Sequence, residues 1–422
     1  MTFSSANTSS FSSQSALTPR REMLLLLTLA GIQFTHIVDF MVMMPLGPQL
    51  VRLFGISDAQ FGLLVSAYTF AAGASGLLAS LYVDRFGRKK LMLSLYVLFA
   101  IATLACALAS SYFSLMAARI ATGAFGGVLA ALSQTIIADV IPFERRGRAM
   151  GIVMASFSLA SVAGVPLGLF MAAHWNWHAP FYAIAAVCLV LAVAASLTMP
   201  RLEGHLQQGN EPRPSALASI RTVLQDKNHQ KAFAFTALLM FAGFTVIPYI
   251  TIYLTVNGGF TTQQVPYAYL CGGAATLVTA RWIGGWTDSL GKARIYKTMA
   301  LFSALPLLLV TVSGSFGLVG ILATTTLLFI GMNGRMVPGM AIVASAAEPK
   351  FRGTFMALNA SVQSAAMGVA AFVGGLLIQR DAQGLVQNYW INALLGIAAI
   401  ALSLLLVDRL RLHGAVQPLK NS

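Results

Sequence analysis

Three ionisable residues, set in otherwise apolar stretches of the chain, have the types and spacing needed to carry a proton. Asp39 is the only carboxylate deep inside such a stretch, and His36 lies three positions before it on the same face of a helix. Arg119 falls at a matching depth in another stretch, roughly 10 Å from its end by helical rise. An acid between an apolar surrounding and a cation can alternate between its two protonation states. We therefore interpret Asp39 as a proton carrier, Arg119 as the group that biases proton release and His36 as an assisting group, with packing as the alternative role for His36.

A second set of residues could line a cavity that receives a small molecule. Arg335 lies near the middle of another apolar stretch beside Asn333, and a charge at that depth must face a cavity or a polar partner. Asn359 and Gln363 are spaced i,i+4 on one helix face, where they could contact a ligand or hold two helices together. Met43, close to Asp39, offers an adaptable apolar surface. We expect these five residues to line the substrate cavity.

The composition indicates that most of this chain is surrounded by lipid. Of its 422 residues, 57% are hydrophobic and only 9% are charged, which leaves too little polar surface for a soluble domain. Each helical crossing of a bilayer needs about 20 apolar residues. Twelve runs of that kind lie at about 23–50, 58–82, 91–110, 113–140, 148–172, 179–199, 232–256, 264–287, 295–313, 316–347, 354–378 and 389–407. Backbone groups in lipid must be satisfied within each segment, so the expected fold is an all-α membrane protein.

The chain contains an internal duplication that divides these spans into two sets of six. Residues 83–90 (VDRFGRKK) return, weakened, as residues 287–292 (TDSLGK), and the two aspartates are 204 residues apart. The pairs Arg146-Gly147 and Arg352-Gly353 repeat at nearly the same spacing. We predict two pseudo-symmetric six-helix bundles related by an axis along the membrane normal. The predicted segments are a disordered tail (1–21), the first bundle (22–199), a cytoplasmic linker (200–230), the second bundle (231–408) and a second tail (409–422).

Basic residues predict the orientation of the chain, because Lys and Arg near span ends are retained on the cytoplasmic side. With both termini inside, most of the 27 basic residues fall in the tails or cytoplasmic loops, whereas Arg52 and Arg380 fall outside. The net charge of +14 therefore reflects topology and does not indicate a nucleic-acid surface. We expect a monomer in lipid in the inner membrane of a bacterium.

Three sequence motifs resemble those of the major facilitator superfamily, and specifically its twelve-span drug:proton antiporters. They are the charged loop after the second span, the segment that begins at Arg119 and includes Gly123, and the segment Gly164-Val165-Pro166-Leu167-Gly168. The resemblance implies proton coupling at Arg119 and a cytoplasmic latch at Asp84. Pro166 also removes one backbone hydrogen bond and bends its helix. The residues assigned to gating are Asp84, Gly87, Arg88, Asp288, Gly291, Asp139, Gly164, Pro166 and Gly168, with an ion pair or helix cap as the alternative role for Asp139.

The resemblance implies export of small amphipathic or drug-like molecules by proton antiport with alternating access. No phosphate-binding loop of the GxxxxGK type is present in the sequence, which points to a gradient as the energy source. We expect no cofactor or metal, and we expect no enzyme activity, since no nucleophile or second carboxylate accompanies Asp39. The alternatives are efflux of one endogenous metabolite such as a sugar, and proton-coupled uptake on the same fold.

Overall fold

The computed structural model of the protein describes residues 18–82, 86–141, 143–200 and 216–413. Asp84, the central residue of the predicted latch, lies outside these residues, as do parts of both predicted tails and of the predicted linker. The boundaries given above for the tails, the linker and the bundles therefore stay predictions.

The first half of the chain forms six spans. Its helices are α1 Pro19–Val42, α2 Gly47–Phe54, α3 Asp58–Tyr82, α4 Arg88–Ala107, α5 Tyr112–Val140, α6 Phe143–Leu159, α7 Val165–His174 and α8 Ala179–Thr198. A π-helical turn, Ala160–Gly164, joins α6 to α7 within one span. Helix α1 packs on α6 and α8, while α5 packs between α3 and α4.

The second half repeats this arrangement after a short linker helix. The helices are α9 Ala216–Gln225, α10 Lys227–Phe244, α11 Ile250–Val256, α12 Val265–Leu290, α13 Lys292–Val310, α14 Gly317–Ala346, α15 Arg352–Leu377 and α16 Tyr389–Val407. Single turns of 3-10 helix occur at Ile247–Tyr249, Ser313–Ser315 and Pro349–Phe351. Two short antiparallel strands, β1 Gln379–Arg380 and β2 Val386–Gln387, form a hairpin between α15 and α16.

The all-α architecture of twelve spans in two bundles, predicted from the sequence, is confirmed. Within the described residues, eleven helical segments are long and apolar enough to cross a membrane. Helix α12 supplies the twelfth span with 26 residues, but it is not among those eleven. Its second half carries Arg281 and Asp288, which lower its mean hydropathy. The two halves meet chiefly where α3 packs along α15 and where the π-helical turn and α7 pack on α12.

Local sequence signals explain how the helices that carry the candidate residues begin and bend. Ser111 caps the N-terminus of α5 by accepting a hydrogen bond from the backbone N–H of Ser114, which fixes the start of the helix that carries Arg119. Pro166 has no N–H to donate, and the turn before it widens so that the N–H of Val165 bonds to the carbonyl of Ala160. The hairpin places Arg380 opposite Val386 at the end of α15.

Candidate functional site

Asp39 and Arg119 form an ion pair inside the first bundle. Arg119 donates from Nη1 to Oδ2 of Asp39 at 2.8 Å, and both side chains are almost completely buried. The same nitrogen lies 3.3 Å from the backbone carbonyl of Asp39, and Thr103 donates to Oδ1 at 3.5 Å. Buried charges remain favourable only when they are paired and hydrogen-bonded, and this arrangement supplies both. Three helices, α1, α4 and α5, therefore converge on one carboxylate.

Aromatic rings enclose this ion pair. The guanidinium carbon of Arg119 lies 4.4 Å from the centre of the Tyr68 ring, a distance typical of a cation–π contact. His36 lies beside Tyr68 and Phe99, with ring centres 6.1 Å apart in each case. In the described part of the chain, neither ring nitrogen of His36 has a hydrogen-bond partner. The structure therefore brings His36 close to the pair without bonding it to Asp39.

Two glycines of the α5 motif create the room for this arrangement. A Cβ atom at Gly126 would overlap the imidazole ring of His36, and one at Gly123 would overlap the backbone carbonyl of Tyr68. Absence of a side chain at these positions lets α3 and the imidazole approach α5 closely. The motif thus positions Tyr68 and His36 around Arg119.

Arg335 occupies the interior of the second bundle and lacks an acidic partner among the described residues. It is 1% exposed, and its Nη2 lies 3.0 Å from the sulfur of Met332. Within the described chain, Nε and Nη1 have no hydrogen-bond partner. A guanidinium in this condition has given up hydration without receiving an anion in return. The sequence indicated the depth of Arg335, and the structure adds that no described acidic side chain compensates its charge.

The other residues predicted to line a cavity lie in different surroundings. Asn359 is 1% exposed and accepts a hydrogen bond from Thr236 at 2.7 Å. Asn333 donates to the carbonyl of Phe329 on its own helix, and Gln363 is partly exposed. Met43 is completely buried in the apolar core. Their contact with a substrate stays a prediction.

A row of aromatic rings connects the buried pair to the second bundle. Phe40, which follows Asp39, stacks on Tyr68 at 5.1 Å between ring centres. Its other neighbour is Phe244 of α10, at 6.2 Å. Both phenylalanine rings remain partly exposed. Phenylalanine is abundant in any membrane core, so sequence reasoning did not single out this row.

An ion pair that the sequence analysis did not anticipate joins the two halves at one end. Arg380 donates from Nε and Nη2 to the two carboxylate oxygens of Asp58, at 2.8 and 2.9 Å. These hydrogen bonds raise the pKa of Arg380 above its ordinary value. We call this pair the interhalf clamp. The available signal was Arg380 itself, one of two basic residues predicted on the outer side against the general bias.

Close backbone contacts continue the closure next to the clamp. The hydroxyl of Tyr249 on the second half donates to the carbonyl of Ala371, and a Cβ atom at Gly62 on α3 would overlap both groups. Ser66 of α3 donates to the carbonyl of Gly368 of α15 at 2.7 Å. The halves are thus in direct contact from the clamp to the middle of α3.

Five of the predicted gating residues lie at the opposite end, where the ion pair between Arg88 and Asp139 is within one half. Arg88 of α4 donates to Asp139 of α5 at 3.0 Å, and Gly87 is the residue immediately before α4. In the second half, Asp288 is exposed near the end of α12. Gly291 follows with a φ of 95°, a conformation that favours glycine. A gating role for these residues stays a prediction.

The glycines around the π-helical turn face α1 of their own half. A Cβ atom at Gly164 would overlap Cγ2 of Val38, and one at Gly168 would lie 2.8 Å from Cγ2 of Val42. Val38 precedes Asp39 directly, so this contact supports the helix turn that carries the acid. The contact with the other half lies next to it, where Gly273 of α12 packs against the backbone of residues 161 and 162.

The sequence pattern of the Major Facilitator Superfamily matches residues 29–337. The chain belongs to the major facilitator superfamily. The protein is therefore an integral membrane transporter of small molecules, and not an enzyme. Superfamily members often couple transport to protons.

Comparisons with individual proteins agree with this assignment. The chain is 26% identical to the uncharacterized MFS-type transporter YtbD of Bacillus subtilis over 300 residues. That stretch is 70% of this chain and 73% of that protein. It is 25% identical to the MFS-type transporter YbcL of the same organism, over 85% and 90% of the two chains.

Two solved structures show the same fold. One is a D-xylose-proton symporter, with a TM-score of 0.75 and 17% identity over 92% of this chain and 97% of the other. The second is a bacterial homologue of the human lysosomal transporter Spinster in an inward-facing conformation, with a TM-score of 0.71 and 16% identity over 94% and 100% of the two chains. At this identity, the likeness concerns the fold.

Proposed function

We infer that this transporter exports small amphipathic, drug-like molecules in exchange for protons, with Asp39 as the proton carrier. The observation that carries the proposal is the buried contact between Asp39 and Arg119. Protonation of Asp39 would remove its negative charge and weaken its attraction to the guanidinium. Loss of the proton would restore the attraction. The pair is therefore an element whose strength depends on one proton, as coupling requires.

The arrangement of the helices supports alternating access. The interhalf clamp and the contacts of α3 with α15 hold the Asp58 end closed. At the other end, Arg88 pairs with Asp139 of the same half. Under the orientation predicted from the basic residues, the closed end faces outside and both termini are cytoplasmic. We expect the protein to alternate between this outward-closed state and an outward-open state. We also expect it to act as a monomer in the bacterial inner membrane.

The surroundings of the acid favour an apolar substrate over a sugar. Phe40, which follows Asp39 in the chain, and Phe244, whose ring lies 6.2 Å from that of Phe40, are both partly exposed. Rings of this kind suit the apolar body of a drug-like substrate. The side-chain carbonyl of Asn359, by contrast, is already bonded to Thr236. Sugar efflux and proton-coupled uptake on the same fold remain the alternatives that the test below must separate.

Proton-linked transport in inside-out vesicles tests this proposal. Lumenal acidity is followed while amphipathic dyes and sugars are added to vesicles that contain the wild type or Asp39→Asn. We expect dyes to release lumenal protons in the wild type and to have no such effect in Asp39→Asn. Asp408→Asn is the matched control, because it makes the same chemical change in an exposed ion pair at the end of α16.

Each alternative result has a defined meaning. Proton release that persists in Asp39→Asn contradicts the role of Asp39. Proton release by sugars alone contradicts the drug-like substrate, and co-movement of protons and solute in one direction contradicts antiport.

A further inference from the structure

Arg335 is a deeply buried cation of the second bundle that the mechanism above does not use. Its side chain is 1% exposed, and two of its three guanidinium nitrogens lack partners within the described residues. Buried charges are normally paired, because an unpaired one loses its hydration without compensation. A membrane protein that keeps such a residue has a use for its positive charge.

The internal duplication indicates which position of the second bundle corresponds to Asp39. Gly243 lies 204 residues after Asp39, the same spacing that separates Asp84 from Asp288. Nη2 of Arg335 lies 3.2 Å from the position that a Cβ atom at Gly243 would take. In the first bundle, a guanidinium meets the carboxylate of Asp39. In the second bundle, the guanidinium of Arg335 lies beside Gly243, which has no carboxylate.

Met332 occupies this position in the present structure. Its methyl group would overlap a Cβ atom at Gly243, and its sulfur is 3.0 Å from Nη2 of Arg335. A thioether is a weak acceptor on a flexible side chain, so it fills space without neutralising the charge. Its displacement by an anionic group would replace a weak contact with a charge-assisted hydrogen bond.

We propose that Arg335 binds the anionic group of the exported molecule, in the place beside Gly243 where the second bundle lacks a carboxylate. The substrate is then an amphipathic monoanion, such as an aromatic carboxylate or sulfonate. Its apolar body lies against Phe244, the next residue along α10, and against Phe40 of the first half, whose rings are 6.2 Å apart. This inference rests on the proposed function, because it names the substrate class of the same exporter.

The proposal has an electrical consequence. Outward movement of a monoanion is electrically equivalent to inward movement of one positive charge. Together with one inward proton, each cycle therefore moves a net two positive charges inward. Transport of an anion would therefore depend more steeply on membrane potential than transport of a neutral molecule. Exchange of a monovalent cation for one proton would be insensitive to the potential.

Equilibrium binding of three matched probes tests the proposal. Naphthoate, naphthamide and naphthylmethylamine share one ring system and differ in charge, and their binding to the purified full-length protein can be measured by calorimetry. We expect naphthoate to bind about tenfold or more tightly than the other two, since a charge-assisted hydrogen bond forms only with the anion. A preference for the neutral or cationic probe, or no binding of naphthoate, overturns the proposal.

Variants test whether Arg335 is responsible for the preference for the anionic probe. Arg335→Gln should abolish it, whereas Arg281→Gln, the same change at an exposed arginine of α12, should leave it intact. Gly243→Asp should also abolish it by supplying the missing carboxylate. Gly243→Ala displaces Met332 in the same way without adding a charge, so the difference between the two variants isolates the carboxylate. An anion preference that survives in Arg335→Gln overturns the assignment.

Equilibrium binding requires no gradient, so it separates this proposal from the coupling mechanism. If Asp39→Asn abolishes proton-linked transport but the probes show no anion preference, the proton antiport stands and the substrate class is wrong. If the anion preference is found while proton flux persists in Asp39→Asn, the substrate class stands and the coupling assignment is wrong.

Discussion

The two bundles share one architecture but treat a buried guanidinium in opposite ways. In the first bundle, Arg119 lies 2.8 Å from Asp39, Thr103 donates to the same carboxylate, and the Tyr68 ring faces the guanidinium. In the second bundle, the sulfur of Met332 is the only described atom at hydrogen-bond distance from Nη2 of Arg335. The duplicated scaffold thus contains a neutralised pair in one half and, in the other, a buried arginine without an acidic partner among the described residues. Under the two proposals above, this difference separates two tasks, the handling of the proton and the recognition of the transported molecule.

The glycines of the two halves show a similar division. Gly164 of the first half packs against Val38 within its own bundle. Gly368, which lies 204 residues later, packs against Thr69 and Phe70 of α3, across the boundary between the bundles. Corresponding small residues therefore stabilise a bundle in one case and the contact between bundles in the other.

Removal of the acid from the first bundle should have the largest effect on stability. Asp39→Leu leaves Arg119 buried without an anion, which should cost about 3–5 kcal/mol. Thermal unfolding of the purified protein measures this loss. The double variant Asp39→Leu with Arg119→Leu should recover most of the lost stability, because no unpaired charge remains. A double variant as unstable as the single one would show that packing, and not charge, is responsible.

Removal of the cation from the second bundle should instead raise the stability of the protein. Arg335→Leu eliminates an uncompensated buried charge and should raise stability by about 1–4 kcal/mol. The same thermal measurement applies, with Arg281→Leu as the exposed control. A lower melting temperature for Arg335→Leu would mean that its charge is already neutralised in the resting protein.

The interhalf clamp should control how often the Asp58 end opens. Each hydrogen bond between charged groups contributes about 1.5–3 kcal/mol, so Asp58→Asn should speed opening by roughly tenfold or more. The measurement is labelling by a membrane-impermeant thiol reagent at Ser66→Cys, in a Cys271→Ser background. Exchange of the two charges, Asp58→Arg with Arg380→Asp, should slow labelling again. Equal labelling in all variants would show that the interhalf clamp does not control opening of the Asp58 end.

Overpacking next to the acid should have the smallest effect. Gly164→Ala forces a methyl group against Val38 and should cost about 1–3 kcal/mol. Gly285→Ala, where a Cβ atom meets open space, is the control. Addition of Val38→Ala to Gly164→Ala should restore stability, because it removes the overlapping atoms.

The corresponding Gly368→Ala should instead weaken the contact between the halves and increase labelling at the clamp end.

Sequence reasoning reached the residues whose types are rare in lipid. Asp39, Arg119 and Arg335 were found because a charge in an apolar span demands an explanation, and helical rise was sufficient to place Asp39 and Arg119 at one depth. The twelve spans followed from apolar length, and the two bundles followed from the repeated loop. These features depend on local composition and on spacing along the chain.

The missed contacts depend on tertiary packing. Asp58 and Arg380 are 322 residues apart, and nothing in either local sequence specifies the other as partner. Tyr68 was overlooked because an aromatic residue in a span is ordinary, and only its position over Arg119 gives it significance. The lack of an acidic partner for Arg335 among the described residues is likewise a property of its three-dimensional neighbourhood.

The π-helical turn at Ala160–Gly164 contains one residue more than an α-helical turn would hold. If that residue were passed on to the neighbouring helix, everything from Val165 to His174 would rotate by about 100° about the helix axis. Gly168 would then turn away from Val42, and a bulkier neighbour would take its place. The helix would then shift by a whole residue at a time, while the α-helical hydrogen bonds on either side of the turn stay intact.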